Sequence, residues 1–457
     1  MKRLLSAASL TIICFQATAT PVYHPPGPNL TYGPVSNGQT IMSEISNPAA
    51  GAATLKKDGG ALRFGVLSSV GVGFEYGEVD NLYDDLDAAA DDLSNSFANV
   101  ANTADASLVN ARIDDINDIL GDIEDDGYGK VFGSIHIPLM PLVFSADMLG
   151  GSLVFDVNAS FVARVGAIRD PIQDFDIAQA QNIIDNTTTG TVGDVDIDAR
   201  DPFNITYDVN NDSSLLLNAA RIVEAAVGYS RVVMSGVDGN LFAGVRGKMY
   251  QVSLYRDFEK MEDVNDSEEV FSDFGLDDGE TSTGVGVDLG MLWVGNHYRI
   301  GATVTNVNEP SFDYNDVDPI KLANAALTDP RIAALLANDQ TYTMEKQLTI
   351  EAALHSQNQN WIINASYDTN PVEGPTGDEY QWATISAAYA TDNWILPGVR
   401  AGYRVNRAGS EVKYLTGGVT LFKSFNMDVA YGLDKVDVDG NELPRSFMFN
   451  IGFELTF

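Results

Sequence analysis

Apolar residues at every second position, runs mostly ten to eighteen residues long, and connections that alternate between long and short are the three observations that set the fold class. Together they predict an all-β chain: an antiparallel transmembrane β-barrel of ~14 strands, with helical extracellular loop insertions. Composition alone points elsewhere. Of 457 residues, 45 % are apolar and 20 % charged, and 64 acids against 27 bases give a net charge of −37. That reads as an acidic soluble protein. It argues against direct nucleic-acid binding, which needs clustered Lys and Arg, and against general disorder. No run of ~20 apolar residues suggests a bundle of spanning helices.

The first nineteen residues form an expected secretory signal peptide. Lys2 and Arg3 precede an apolar stretch from Leu4 to Phe15, and Ala17 and Ala19 stand at −3 and −1 of a cleavage site. Ile13 before Cys14 argues against a lipoprotein signal. Cleavage would leave 25 bases, all 64 acids (net −39) and no cysteine. A disulfide framework, a thiol nucleophile and a Cys-based zinc site are then all excluded.

Residues 20–60 carry Pro21, Pro25, Pro26, Pro28 and Pro34 with many Gly and Ala and no alternation. They are too apolar for a simple linker and too irregular for a strand, and stand apart from the barrel. Residues 61–457 are assigned as the barrel, with strands at about 61–76, 129–145, 151–168, 216–234, 241–256, 282–295, 298–307, 343–356, 360–370, 379–391, 395–406, 411–423, 425–436 and 444–457. The last strand is the clearest. Phe447, Phe449, Ile451, Phe453, Leu455 and Phe457 share one face, opposite Ser446, Met448, Asn450, Gly452, Glu454 and Thr456. Connections after odd strands run to about 52, 47, 25, 35, 8, 4 and 7 residues, and those after even strands to one to six. Short turns on one side and long loops on the other suit an outer-membrane barrel, as does an even strand number. The lumen-facing row is expected to be rich in Gly, Ser, Asn and Asp and poor in bases.

Two long extracellular loops are expected, 77–128 and 169–215. In the first, Leu82, Leu86, Ala89, Leu93, Phe97 and Val100, then Val109, Ile113, Ile116, Leu120 and Ile123, follow three- and four-residue steps. This spacing predicts a helical hairpin. Shorter helices are expected near Ile177–Ile184, Ile320–Leu327 and Arg331–Leu336. Fifteen acids and one base in 77–128 read as a solvated face, with divalent-cation bridging to lipopolysaccharide as the sharper alternative. Asp437, Asp439 and Asn441 fit a hairpin turn better than a calcium loop, because Glu442 stands where an EF-hand needs Gly.

Asn450, Gly452, Leu455 and Phe457 resemble the C-terminal signal read by the barrel assembly machinery. Asn47-Pro48-Ala49, placed between signal peptide and first strand, resembles the Asn-Pro-Ala motif in the plug of FadL-like outer-membrane proteins. The helical acidic insert and the length look most like the plasmid conjugal-transfer TraF-like branch of that superfamily, with PorV-like secretion proteins as relatives. The resemblance implies that residues 20–60 form an N-terminal plug segment before a fourteen-stranded barrel in the outer membrane of a Gram-negative bacterium. It also implies a non-enzymatic role in conjugation or another envelope-transfer system. The alternative is a plugged channel for hydrophobic molecules such as long-chain fatty acids. Lateral exit from such a channel would require a kinked strand, and Pro138 and Pro141 interrupt the second strand, where the alternative is a simple bulge at the loop end of that strand. Partners expected are outer-membrane lipid and lipopolysaccharide, the barrel assembly machinery, and conjugation or secretion components or a hydrophobic ligand, with no direct nucleic-acid contact. No catalytic residue, metal site or cofactor is assigned. The four histidines are scattered, and neither G-x-S-x-G nor H-E-x-x-H occurs.

Overall fold

The computed structural model describes residues 25–58, 62–79, 88, 92, 93, 95, 97, 103–201, 205–261, 279–317, 319–328, 336, 340–390, 394–438 and 441–456. The signal-peptide assignment, Phe457 and most of the first helix of the expected hairpin lie outside them. So do most of 331–336 and turn residues 439 and 440.

Fourteen antiparallel strands close into a barrel. They are β1 (Leu62–Tyr76), β2 (in two segments, Gly129–His136 and Leu142–Ala146), β3 (Gly151–Ile168), β4 (Ser214–Ser235), β5 (Gly239–Lys260), β6 (Glu280–Gly295) and β7 (Tyr298–Thr305). Then follow β8 (Gln347–His355), β9 (Trp361–Asp368), β10 (Trp382–Tyr389), β11 (Gly398–Asn406), β12 (Lys413–Leu421), β13 (Phe425–Gly432) and β14 (Ser446–Thr456). Each strand pairs with its sequence neighbours, and β1 closes the ring on β14. Full closure leaves no open sheet edge, the condition for a sheet in lipid.

The two-residue period decides what faces where. On β14, Ser446, Met448, Asn450, Gly452 and Glu454 are buried, while Phe447, Phe449, Ile451, Phe453 and Leu455 are partly exposed on the outside. On β9, Ile362 turns inward with Asn364, Ser366 and Asp368, and Trp361, Ile363, Ala365 and Tyr367 face out. The apolar row is therefore the outer wall and the polar row the lumen, as in a membrane barrel.

Strand ends differ from expectation. β7 to β13 are only eight or nine residues long, while β4 and β5 reach 22 each. Alternating residues before β8, β10 and β14 belong to separate small hairpins. These pair Ser311–Asp313 with Thr341–Thr343, Val372–Glu373 with Glu379–Tyr380, and Lys435–Val438 with Asn441–Pro444. Alternation reports an extended chain with two unlike faces, not which strand it pairs with. β10 also ends earlier, at Tyr389, and β11 begins later, at Gly398, than expected.

The long connections after β1 and β3 pack together into one subdomain. Its long helix, Thr103–Asp126, buries Val109, Ile113, Ile116, Leu120 and Ile123, the stripe read from the sequence. A second helix (Ile177–Asn186) and a three-stranded sheet (Thr189–Val192, Val195–Asp198, Thr206–Val209) share that core with Leu93 and Phe97. Phe97 stacks on Tyr207 at 5.2 Å and meets Phe175 edge-on at 5.1 Å. Asn117 and Asn110 bind the backbone at Ile172 and Phe175, stitching the two connections side by side. The helix Pro319–Thr328 lies in the connection after β7.

Candidate functional site in the barrel lumen

The N-terminal segment, residues 25–58, lies inside the barrel. It forms three short helices, α1 (Asn29–Tyr32), α2 (Met42–Ser46) and α3 (Ala50–Asp58). Almost every described side chain from Pro26 to Thr54 is buried. Its polar backbone cannot be satisfied by water there, so the lumen wall must supply partners.

Asn47-Pro48-Ala49 docks on a seat of two glycines. Gly244 on β5 pairs directly with Gly290 on β6. A Cβ at Gly244 would stand 2.1 Å from the Pro48 carbonyl oxygen, and one at Gly290 2.2 Å from Asn47 Oδ1. Only glycine permits that approach. Asn47 is fully buried. Its Nδ2 donates to Glu351 Oε1 on β8 at 2.7 Å and to the Met291 carbonyl at 3.2 Å, and its Oδ1 accepts from Ala49 N at 2.9 Å. Glu351 also accepts from the Ser36 amide and, at 2.7 Å, from the Ser36 hydroxyl. Arg299 on β7 donates to the Ser36 carbonyl at 2.7 Å. Beyond the motif, Ala49, Ala50, Ala52 and Ala53 pack on Phe242 and Leu292.

Charged side chains hold the rest of the segment. Thr31 donates to Asp428 on β13 at 2.6 Å, and Arg400 on β11 donates twice to that carboxylate, at 2.7 and 2.5 Å. Arg404 donates to the Leu30 carbonyl at 3.1 Å, with its guanidinium 4.2 Å from the Trp382 ring centre. Glu454 accepts from the Ile41 amide at 2.6 Å, Arg63 pairs with Glu44 at 3.3 Å, and Arg246 donates to the Ile45 carbonyl at 2.9 Å. Arg246 also meets Asp156 at 3.0 Å and Glu224. The expectation of a base-poor lumen is therefore corrected. Arg63, Arg246, Lys248, Arg299, Arg400 and Arg404 all face inward and are buried. They are spread over four strands, Arg63 on β1, Arg246 and Lys248 on β5, Arg299 on β7, and Arg400 and Arg404 on β11, and only closure of the ring brings them together.

Between this segment and the long-connection rim the lumen is apolar. Leu30 on α1 forms its floor, and Phe132, Tyr250, Trp382 and Tyr414 line its wall. Phe312, Tyr342 and Tyr380 enter from the loop hairpins. The rings are in contact: Tyr380 to Trp382 at 6.2 Å, Trp382 to Tyr414 at 6.1 Å, and Tyr250 to Phe312 edge-on at 6.1 Å. At the rim Lys130 pairs with Glu75 at 2.9 Å and Asp378 at 3.6 Å, and donates to the Tyr380 hydroxyl at 3.2 Å. Burial pushes the Tyr128 and Tyr380 phenols well above the usual tyrosine range, so both stay protonated.

The other residues singled out from the sequence lie elsewhere. Pro138 and Pro141 fall in the break between the two segments of β2, Pro138 exposed and Pro141 buried. Asn450 and Gly452 face inward on β14, where Asn450 Nδ2 donates to Ser69 at 2.9 Å, and Leu455 lies on the outer face. Among the described residues no group of three His, Cys, Asp or Glu is arranged to hold a metal ion. Glu351, the Gly244–Gly290 pair and the ring layer were missed. The available signal for Glu351 was a lone acid within an otherwise uncharged strand (Gln347–His355).

A closed fourteen-stranded antiparallel barrel with an apolar outer face and a polar, occupied lumen defines the outer-membrane class of barrel. Within that class, residues 44–368 match the family model described as "F plasmid transfer operon, TraF, protein", and the chain belongs to that family. No curated protein matches the chain. Among solved structures it is similar to the Ralstonia pickettii toluene transporter TbuX, with 13 % identity, 97 % of this chain and 100 % of that chain covered, and a TM-score of 0.39. The Pseudomonas putida toluene transporter TodX gives 13 %, 95 %, 98 % and 0.38. A Pseudomonas aeruginosa FadL homologue gives 10 %, 97 %, 98 % and 0.33.

Proposed function

We propose that the chain is a non-enzymatic, plugged barrel in the outer membrane of a Gram-negative bacterium, serving a conjugation or related envelope-transfer system in an accessory or structural role. The observation that carries this reading is the filled lumen. The segment 25–58 is bonded to walls all around the ring, from Arg63 on β1 to Glu454 on β14, and a layer of rings lies above it. The barrel then acts as a rigid base for the loop subdomain rather than an open pore. Family membership and the separate core of that subdomain support the same role. In planar bilayers the purified protein is expected to show little steady conductance, and deletion of its gene to lower transfer between cells. A large resting conductance with unchanged transfer would overturn the proposal.

A second reading is favoured by the ring layer: a plugged channel for hydrophobic molecules. Leu30, Trp382, Tyr414 and Phe312 form a buried apolar layer across the lumen, into which a hydrophobic molecule would enter by displacing the rings. Long-chain fatty acids or aromatic hydrocarbons would then raise the thermal unfolding temperature in a concentration-dependent way. An unchanged temperature at saturating ligand counts against this reading.

A further inference from the structure

We propose that the broken wall at β1–β2 and the inner N-terminal segment are one mechanical unit, jointed at Ser68 and Ser69, so that neither rearranges without the other. The inference stands on geometry and is independent of which cargo or system the barrel serves.

Neighbouring residues of a regular strand face opposite sides. Ser68 and Ser69 are adjacent in β1, yet both are buried. Two bulges explain this. Against β14 the register runs Gly65↔Glu454, Leu67↔Phe453 and Val70↔Ile451, so β1 gains a residue at each step. On its other edge, the ladder between β1 and β2 stops at Val70↔Ile135 and resumes at Phe64↔Leu142. The gap is bridged by Gly65 N to the Pro141 carbonyl at 3.1 Å and Leu139 N to the Val66 carbonyl at 3.4 Å. Ser68 Oγ completes it, donating to the Met140 carbonyl at 2.6 Å.

One residue further on, Ser69 Oγ accepts from the Gly27 amide of the inner segment at 2.9 Å and from Asn450 Nδ2 at 2.9 Å. One serine thus holds the broken wall and the next holds the segment. The joint has no slack. A Cβ at Gly65 would lie 2.2 Å from Ser68 Cβ, and one at Gly452 2.0 Å from the Ser68 carbonyl oxygen. A pull on Gly27 therefore moves Ser69, and with it Ser68 and the Met140 carbonyl. By linkage the effect is reciprocal: whatever factor the segment exerts on the wall, the wall exerts on the segment.

The test uses the full chain in lipid nanodiscs, with Leu139→Cys, a position 57 % exposed on the wall, as the reporter. Maleimide labelling at that cysteine reads the wall, and amide hydrogen exchange over 27–45 reads the segment. Ser69→Ala is expected to speed labelling at least about fivefold, the low end of site-to-site couplings. Ser68→Ala is expected to speed exchange over 27–45 by a similar factor. Gly27→Ala leaves the barrel sequence intact and acts from the segment side, since Gly27 has φ +56° and its added Cβ meets Met42 at 3.0 Å. It too should speed labelling. The proposal is overturned if Ser69→Ala or Gly27→Ala accelerates exchange in the segment while labelling stays within about twofold of the parent.

Discussion

Replacing Gly244 by alanine should loosen the inner segment without harming the barrel. The added methyl would stand 2.1 Å from the Pro48 carbonyl oxygen and 2.6 Å from Ala49 N, both backbone atoms that no side-chain rotation can move aside. The motif must retreat by roughly 1 Å to reach ordinary contact. Such a shift takes the 2.7 Å and 3.2 Å bonds from Asn47 to Glu351 and Met291 to the edge of hydrogen-bond range or past it. A bond to a charged acceptor contributes about 1.5–3 kcal/mol and a neutral one about 0.5–1.5 kcal/mol. The bound state therefore loses roughly 2–4.5 kcal/mol, and the released state gains about 30- to 2000-fold in population. Gly247→Ala, three residues along β5, is the matched control, because its Cβ meets nothing within 4 Å. Single-channel recording in planar bilayers would show frequent openings for Gly244→Ala and none above the parent level for Gly247→Ala. Heat-modifiable gel mobility would confirm that both barrels are folded. Identical closed traces for the two variants, with hydrogen exchange over 45–55 unchanged, would refute the account of the glycine seat.

Three further outcomes follow from the same structure. Asp428→Ala leaves the buried Arg400 guanidinium without its carboxylate and Thr31 without its acceptor, and should cost about 3–5 kcal/mol by denaturant titration. Ile113→Ala, at a fully buried position, should cost about 2–5 kcal/mol within the loop subdomain alone. Limited proteolysis would then cleave between 103 and 201 while the barrel keeps its mobility on gels. Trp382→Ala removes the ring between Tyr380 and Tyr414 and the surface over which Arg404 lies, and should lower the unfolding temperature. Under the channel reading it should also abolish any thermal protection by aromatic hydrocarbons.

The ring order, the inward row and the buried stripe of the long helix were legible because each depends on local periodicity. Phe447, Phe449, Ile451, Phe453 and Leu455 needed no partner to declare an apolar face, nor did Val109, Ile113, Ile116, Leu120 and Ile123. Strand ends were less legible. Thr341–Thr343 and Glu379–Tyr380 alternate as the barrel strands do, and only pairing partners show that they fold away in hairpins. Asn47-Pro48-Ala49 could be picked out as a motif. Its seat could not, since Gly244 and Gly290 look like any strand glycines until their strands lie side by side.

By itself the sequence determined the class of the protein: a chain whose apolar residues are spread one in two can bury them only as the wall of a closed sheet, facing lipid outside and polar groups within. Its acidic composition followed from the loops, with fifteen acids between 77 and 128 and little said about the barrel below. What tertiary structure alone decided is the content of the lumen. Arg246, Glu351, Arg400 and Asp428 stand on four separate strands, and they become a cage around residues 25–58 only when the first strand meets the last. Periodicity acts along the chain, whereas a lumen is made of contacts between residues up to several hundred positions apart.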